Sequence, residues 1–396
     1  MLSTRIALLV PLAAIVACSS AAPPPPQPPP APPAPSASVS PEPVAVATAS
    51  ATVSAVASAS AAPVASASAP RLPPGVEPTG LKAVDEALIR TGEHCAPGMI
   101  LVEGEYCTEV EQKCLKSWYD KSNKKVVCED FESPTKCVGP KEKRRFCIDT
   151  FAWPNKVGVR PEVMNNFYQA MVKCAAVNKR MCTETEWTMS CEGPEMKPFP
   201  YGYKRDPTKC NGDQKWDGPD MKAVARRNPA ELTRLWKGVP NGAQPECVSD
   251  YGVPDLPGNT DDVVFNDTYK KGGLHAKFDS VNIGGPWYRG VRNACRPKVY
   301  THDEGFYYYY LGFRCCSEPD GKPTDPRSPR MIEGNKPFKD VEGLARFTVA
   351  QMREKLKLKE QGECKCKDTD ALCKTMCGTL LGPGTKDIDL KAPREE

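Results

Sequence analysis

The sequence predicts an α+β domain with limited regular secondary structure and heavy disulfide cross-linking. Three observations lead there. Eighteen of the nineteen cysteines lie after residue 90, behind an N-terminus that reads as an export signal. Residues 99–103 alternate in the strand period. Two later segments, beginning near residues 161 and 183, carry helical spacing and helix-start chemistry.

Arg5 precedes an apolar run from Ile6 to Ala17, too short to cross a bilayer stably and suited to the core of a signal peptide. The run ends in Ile15-Val16-Ala17-Cys18, which resembles a bacterial lipobox. That resemblance implies removal of residues 1–17 and acylation of Cys18, and several acyl chains anchor stably where one is marginal. The plainer alternative is a secreted protein in which Cys18 is incidental. Ser19 favours outer-membrane sorting in a Gram-negative host. The expected place is therefore the bacterial cell envelope, with a membrane partner through the lipid and display toward the periplasm or the cell surface.

From residue 18 to 74 the chain is almost entirely Ala, Pro, Ser and Val, with Glu42 as its acidic residue. Such a segment buries no core, so it is expected to be a disordered tether. Fully extended, at about 3.1 Å per residue, it reaches on the order of 150 Å.

Setting Cys18 aside leaves an even number of cysteines in an exported chain, for which disulfides are the default. The three histidines, His94, His275 and His302, have no second histidine or cysteine at ligand spacing, which argues against a Cys/His zinc site. Lys and Arg total 53 against 49 Asp and Glu, a net charge of +4, with the two signs intermixed. That balance excludes nucleic acid as the expected partner and gives no polybasic membrane surface.

Residues 75–94 hold a short helix over Leu81–Arg90, with Leu81, Val84 and Leu88 on one stripe and Gly92 as its stop. The domain begins at Cys95. Met99, Leu101 and Glu103 alternate with Ile100 and Val102, as in a strand buried on at least one face. A cysteine-dense insertion follows from 107 to 147, poor in aliphatics and dependent on disulfides for order. Pro161–Val177 reads as a helix, with Pro161 in the first turn and Met164, Phe167, Met171 and Cys174 on one face. Thr183 and Glu186 stand at capping-box spacing at the head of a second helix.

Several segments in this order resemble the formylglycine-generating enzyme family, the sulfatase-modifying factors. CAPGMILVEGEYC (95–107) is similar to the family's first strand, and FCIDTFAWPN (146–155) to its FEIDKYEVTN. KRMCTETEW (179–187) resembles KRLPTEAEW, and Pro198-Phe199-Pro200-Tyr201-Gly202 matches a YPWG turn. GGPWYRGVRNACRPKVYTHDEGFYYYYLGFRCC (284–316) is similar to a closing segment of RGGSW, R-x-A-x-R and GFRC. The resemblance spans 95–316 and implies a formylglycine-generating-enzyme-like, C-type-lectin-related fold.

Catalytic members carry two cysteines five positions apart just after the paired glycines and bind copper(I) through them. Counted forward from Gly284-Gly285, those positions hold Arg289 and Ala294. Counted back from Cys295 in steps of five, they hold Gly290 and Gly285. Neither register supplies the soft thiolate pair that copper(I) requires, so no catalytic residue and no copper are expected. The resemblance further implies bonds between Cys174 and Cys315 and between Cys191 and Cys295. Cys182 and Cys316 are expected to pair because each neighbours one end of the first bond.

Gly258-Asn259-Thr260-Asp261-Asp262 falls where the family has a calcium loop, which makes Asn259 and Asp262 candidate ligands for a structural calcium. Asn211 is a candidate for a second such site. A solvated acidic turn is the alternative. Trp287, Tyr288 and Arg289 are candidates to line a binding cleft, with core packing the favoured alternative for each aromatic taken singly. The run Tyr307–Tyr310 is read as strand, two rings inward and two outward, and Thr301–Gly305 as a turn.

A linker is expected over 317–339 and a helical, cysteine-rich tail over 340–396. The tail helix spans Val341–Lys359, with Val341, Ala345, Val349, Met352 and Leu356 as its stripe. Bonds from Cys373 and Cys377 to Cys364 and Cys366 would staple a helical hairpin; a zinc site is the alternative, disfavoured in an oxidising compartment. The function expected is a cell-envelope lipoprotein whose domain binds, with an exported protein or a glycan as ligand. The rival is an active formylglycine-generating or related oxidative maturation enzyme.

Overall fold

The computed structural model describes residues 71–121 and 124–381. The signal segment, Cys18, nearly all of the tether and residues 382–396 lie outside them. The chain opens with α1 (Lys82–Thr91), whose Val84, Ala87 and Leu88 are buried, and enters β1 (Met99–Cys107). The insertion then forms β2 (Val110–Glu111), β3 (Cys114–Asp120), β4 (Lys125–Phe131) and β5 (Lys136–Cys137), arranged as two small ladders, before β6 (Lys141–Asp149). Next come α2 (Phe167–Ala176), β7 (Arg180–Met181), α3 (Glu184–Glu192), α4 (Met221–Ala225) and α5 (Pro229–Leu235). The second half supplies β8 (Asp261–Phe265), β9 (Ser280–Ile283), β10 (Lys298–Val299), β11 (Leu311–Gly312) and β12 (Cys315–Ser317). It closes with α6 (Pro329–Glu333), α7 (Phe338–Ala345), α8 (Val349–Glu360) and α9 (Ala371–Cys377).

Two four-stranded sheets frame the core, in the orders β1-β6-β12-β7 and β10-β9-β8-β11. β6 runs antiparallel to β1 from Met99 opposite Asp149 to Cys107 opposite Lys141, and takes β12 on its other side. Ile100, Val102, Phe146 and Ile148 from the first sheet meet Val264 and Ile283 from the second around Trp187 of α3. Each such side chain, fully removed from water, contributes roughly 1.5–3 kcal/mol. A second cluster joins Phe167 and Met171 of α2 to Phe265, Phe313, Val341, Ala345 and Met352, which fixes α7 and α8 onto the domain.

The eighteen described cysteines form nine disulfides. Cys95–Cys147, Cys107–Cys137 and Cys114–Cys128 hold β1, β6 and the insertion. Cys174–Cys315, Cys182–Cys316 and Cys191–Cys295 tie α2, the β7–α3 turn and α3 to the C-terminal part of the domain. Cys210–Cys247 braces the middle loops, and Cys364–Cys377 and Cys366–Cys373 staple the tail. Closing a loop of more than a hundred residues is worth about 5 kcal/mol in the chain-entropy model.

Four elements differ from the sequence expectation, each for a tertiary reason, the first being the expected linker over 317–339, which carries α6 and packs Ser328 and Met331 into the domain. Pro161 does not open α2. Glu162 N–H donates to the Trp153 carbonyl, Met164 stands at φ 67° with its N–H on the Tyr308 carbonyl, and the helix starts at Phe167. Asn166 caps it, accepting from Gln169 N–H at 2.9 Å while the Gln169 amide accepts from Asn166 N–H at 3.2 Å. The expected Val341–Lys359 helix is two helices, broken at left-handed Arg346, where Phe347 turns into the core and Thr348 caps α8 in a capping box. Tyr307–Tyr310 is loop rather than strand; Tyr309 is buried and the other three rings are half-buried.

Candidate functional site

β9 delivers the chain to Gly284 and Gly285, at φ 93° and 66°. A Cβ on Gly284 would meet the Trp187 ring at 2.6 Å, and one on Gly285 would meet the Arg292 backbone at 2.9 Å, so both positions require glycine. The strand therefore turns sharply against α3 and sends residues 286–292 across the loop at 211–214. Gln214 N–H donates to the Trp287 carbonyl at 2.9 Å, and Arg289 N–H donates to the Gln214 carbonyl at 3.0 Å.

Trp287 does not line an open cleft. It is 2% exposed and packs edge-on to Trp236 and Tyr310, with Tyr309 alongside. Tyr288 and Arg289 are half-buried. The Tyr288 and Tyr310 hydroxyls lie 3.3 Å apart. Arg289 Nε donates to Asp213 at 3.3 Å, and its guanidinium lies 5.4 Å from the centre of the Trp118 ring of β3. Asp213 also receives Arg205 Nη2 at 3.0 Å. The position that matches the first family thiol is thus held by a guanidinium clamped to a carboxylate. Ala294, at the second, is buried beside Cys295, whose sulfur is bonded to Cys191.

Asn211 and Asn259, assigned to separate sites from sequence, belong to one network. Asn259 N–H donates to the Asn211 carbonyl at 2.7 Å, and Asn211 Nδ2 donates to Asn259 Oδ1 at 3.3 Å. Asn259 Oδ1 also accepts from Val239 N–H at 2.7 Å, and Asn211 Oδ1 accepts from Gln214 Nε2 at 3.3 Å. The loop is no solvated turn, since Asp261 and Asp262 are both buried. Asp261 pairs with Arg292 and accepts from Gly285 N–H. Asp262 accepts from the Trp187 indole N–H at 2.9 Å. Burial pushes the Asp262 carboxyl up to about 6, against the pull of Arg314 and the indole. A calcium ion needs several oxygens free to face one point. The Asn259 and Asn211 amide oxygens and Asp262 Oδ2 each accept from a protein N–H, whereas Asp262 Oδ1 has the Thr260 hydroxyl at 3.5 Å.

The remaining candidates settle simply. In the 301–305 turn Asp303 accepts from Gly305 N–H at 2.8 Å, and His302 stacks on Phe306. Among the described residues, the potential metal ligands that converge within 4.8 Å of one another are Cys366, Cys373 and Cys377, whose sulfurs lie in disulfides. Sequence reasoning missed Arg205, Asp213, Gln214 and Trp118. They arrive from two loops and the insertion, and no local motif marks them.

Residues 107–319 match the family model for the sulfatase-modifying factor enzyme 1-like domain. No curated protein matches the chain. Among solved structures, PvdO from Pseudomonas aeruginosa is 14% identical, with 56% of this chain and 94% of that one covered at a TM-score of 0.33. CarF is 12% identical, with 57% of this chain and all of that one covered at a TM-score of 0.31. The paired glycines, the α3 capping box and the bonds Cys174–Cys315, Cys182–Cys316 and Cys191–Cys295 all lie inside the matched span, and the chain belongs to the sulfatase-modifying factor enzyme 1-like family.

Proposed function

We propose that this protein is a binding module of the bacterial cell envelope, anchored through Cys18, whose domain does not oxidise cysteine. One observation carries this reading. Every described cysteine is disulfide-bonded, and the position of the first family thiol holds Arg289, tied to Asp213. Copper(I) needs paired soft ligands, and the domain offers none. Fold similarity alone does not carry an activity over. Nine disulfides also agree with an oxidising, exported setting. The face around Tyr288, Arg289 and Trp118 offers aromatic area with polar tips and a guanidinium, a composition enriched at protein interfaces. An exported protein is the partner it suits.

The test is thiol titration of the full exported chain under denaturant without reductant, with copper(I) titration and incubation with a sulfatase-derived cysteine peptide. The expected result is no reactive thiol, no tight copper(I) uptake and no aldehyde formed from the peptide cysteine. Conversion of that peptide cysteine to its aldehyde overturns the reading in favour of the oxidase.

A further inference from the structure

The tail carries chemistry that the binding reading does not use. Its four cysteines form two disulfides side by side, Cys364–Cys377 and Cys366–Cys373. Across the gap between the bonds, Cys366 Sγ lies 3.4 Å from Cys377 Sγ. That is contact distance between sulfurs of different bonds, the separation from which one would attack the other. Each bond also joins a half-exposed residue, Cys364 or Cys366, to a buried one, Cys377 or Cys373.

A cavity of about 480 Å³ opens beside them, lined by Cys364, Cys377, Arg160, Glu162 and Lys359. Two cations and one carboxylate therefore share its wall with one disulfide. A Cβ on Gly378, the residue after Cys377, would meet the Glu162 carboxylate first and then Lys359 Nζ at 2.8 Å, so a buried-to-surface ion pair borders this bond.

We propose that the tail is a dithiol–disulfide exchange site, whose substrate is a pair of neighbouring thiols on another exported protein. A substrate thiolate attacks Cys364 Sγ from the cavity, forming a mixed disulfide and releasing Cys377 as thiolate. Cys377 then attacks Cys366 Sγ, forming Cys366–Cys377 and releasing Cys373. The second substrate thiol attacks the substrate sulfur of the mixed disulfide, closing the substrate disulfide and releasing Cys364. Two electrons and two protons pass from the substrate to the tail. One disulfide forms in the substrate, and the tail goes from two disulfides to one, with thiols at Cys364 and Cys373. The crossing of the bond from one pair of cysteines to another distinguishes this relay from simple reduction.

The experiment treats the full chain with one equivalent of dithiothreitol, alkylates at low pH and maps the modified cysteines by mass spectrometry. The expected product carries label on Cys364 and Cys373, a bond between Cys366 and Cys377, and an intact Cys174–Cys315. Label on both ends of one original bond with the other intact overturns the relay, as does first reduction at a domain disulfide. A second measurement does not depend on trapping that product. Oxidation of a two-cysteine peptide by the native chain is expected to run about tenfold faster than by the double variant Cys366→Ser, Cys373→Ser, which lacks the acceptor bond. Equal rates overturn the proposal. Intact Cys174–Cys315 and Cys191–Cys295 in that variant show that the domain is folded.

Discussion

Lys173 Nζ lies 2.6 Å from one oxygen of Glu162 in a fully buried site, and Lys359 of α8 lies 2.8 Å from the other oxygen. Lys173 also donates to the Thr375 carbonyl of α9 at 2.7 Å. One carboxylate thus joins α2 to the tail through two cations of very different exposure, 0% for Lys173 and 37% for Lys359. Removing Glu162 strands a buried ammonium, whereas removing Lys359 leaves the buried pair intact. Glu162→Ala is expected to cost about 3–5 kcal/mol and Lys359→Ala at most about 1 kcal/mol. Urea midpoints compare them directly, and equal losses would show that the carboxylate is not the junction.

The Asp262 carboxyl gives a pH signature. Its folded-state value is raised from 3.8 to about 6, mainly by burial. Protonation therefore favours the fold. That contribution is complete below about pH 4 and is lost as the pH rises through about 6. In Asp262→Asn the amide oxygen still accepts the Trp187 N–H, and nothing titrates. Between pH 4 and pH 7 the variant is expected to gain on the wild type by roughly 3 kcal/mol. Parallel stability curves for the two proteins would contradict the assignment.

Asp213 and Arg289 separate fold from recognition. Arg205, 8% exposed, depends on Asp213, while Arg289 is 33% exposed. Asp213→Ala should destabilise by about 3 kcal/mol, through an unpaired buried guanidinium. Arg289→Ala should cost under about 1 kcal/mol while weakening capture of the exported partner proposed above. Thermal melts and pull-downs on the same preparations report the two effects, and the reverse order of stability loss would rule out this division.

The disulfides differ in what they constrain. Cys174–Cys315 closes 141 residues and Cys114–Cys128 closes 14. Replacing both cysteines by alanine is expected to cost about 5 kcal/mol for the first pair and about 3 for the second. Guanidinium denaturation of the two variants tests the ordering.

What the sequence announced was local. The α3 capping box needs only Thr183 and Glu186, and the strand at Met99 needs only its own alternation. The start of α2 at Phe167 was illegible because the Trp153 and Tyr308 carbonyls hold the preceding segment. The break at Arg346 follows from Phe347 turning into the core built by α2. Trp287 stood open between cleft and core because the rings that cover it, Trp236 and Tyr309, lie 51 residues before and 22 after it. Asn211 and Asn259 passed for two sites because only the folded chain brings them into contact.

The pairing of β1 with β6 bears on how this protein can be divided. The family match begins at Cys107, yet β1 ends there, and its nine residues are what β6 hydrogen-bonds along one whole side. A recombinant fragment cut at that boundary would present an open strand edge, and it would lack Cys95, the partner of Cys147. Unsatisfied edges of this kind recruit other chains, so such a fragment should precipitate, whereas one begun ahead of α1 should remain dispersed.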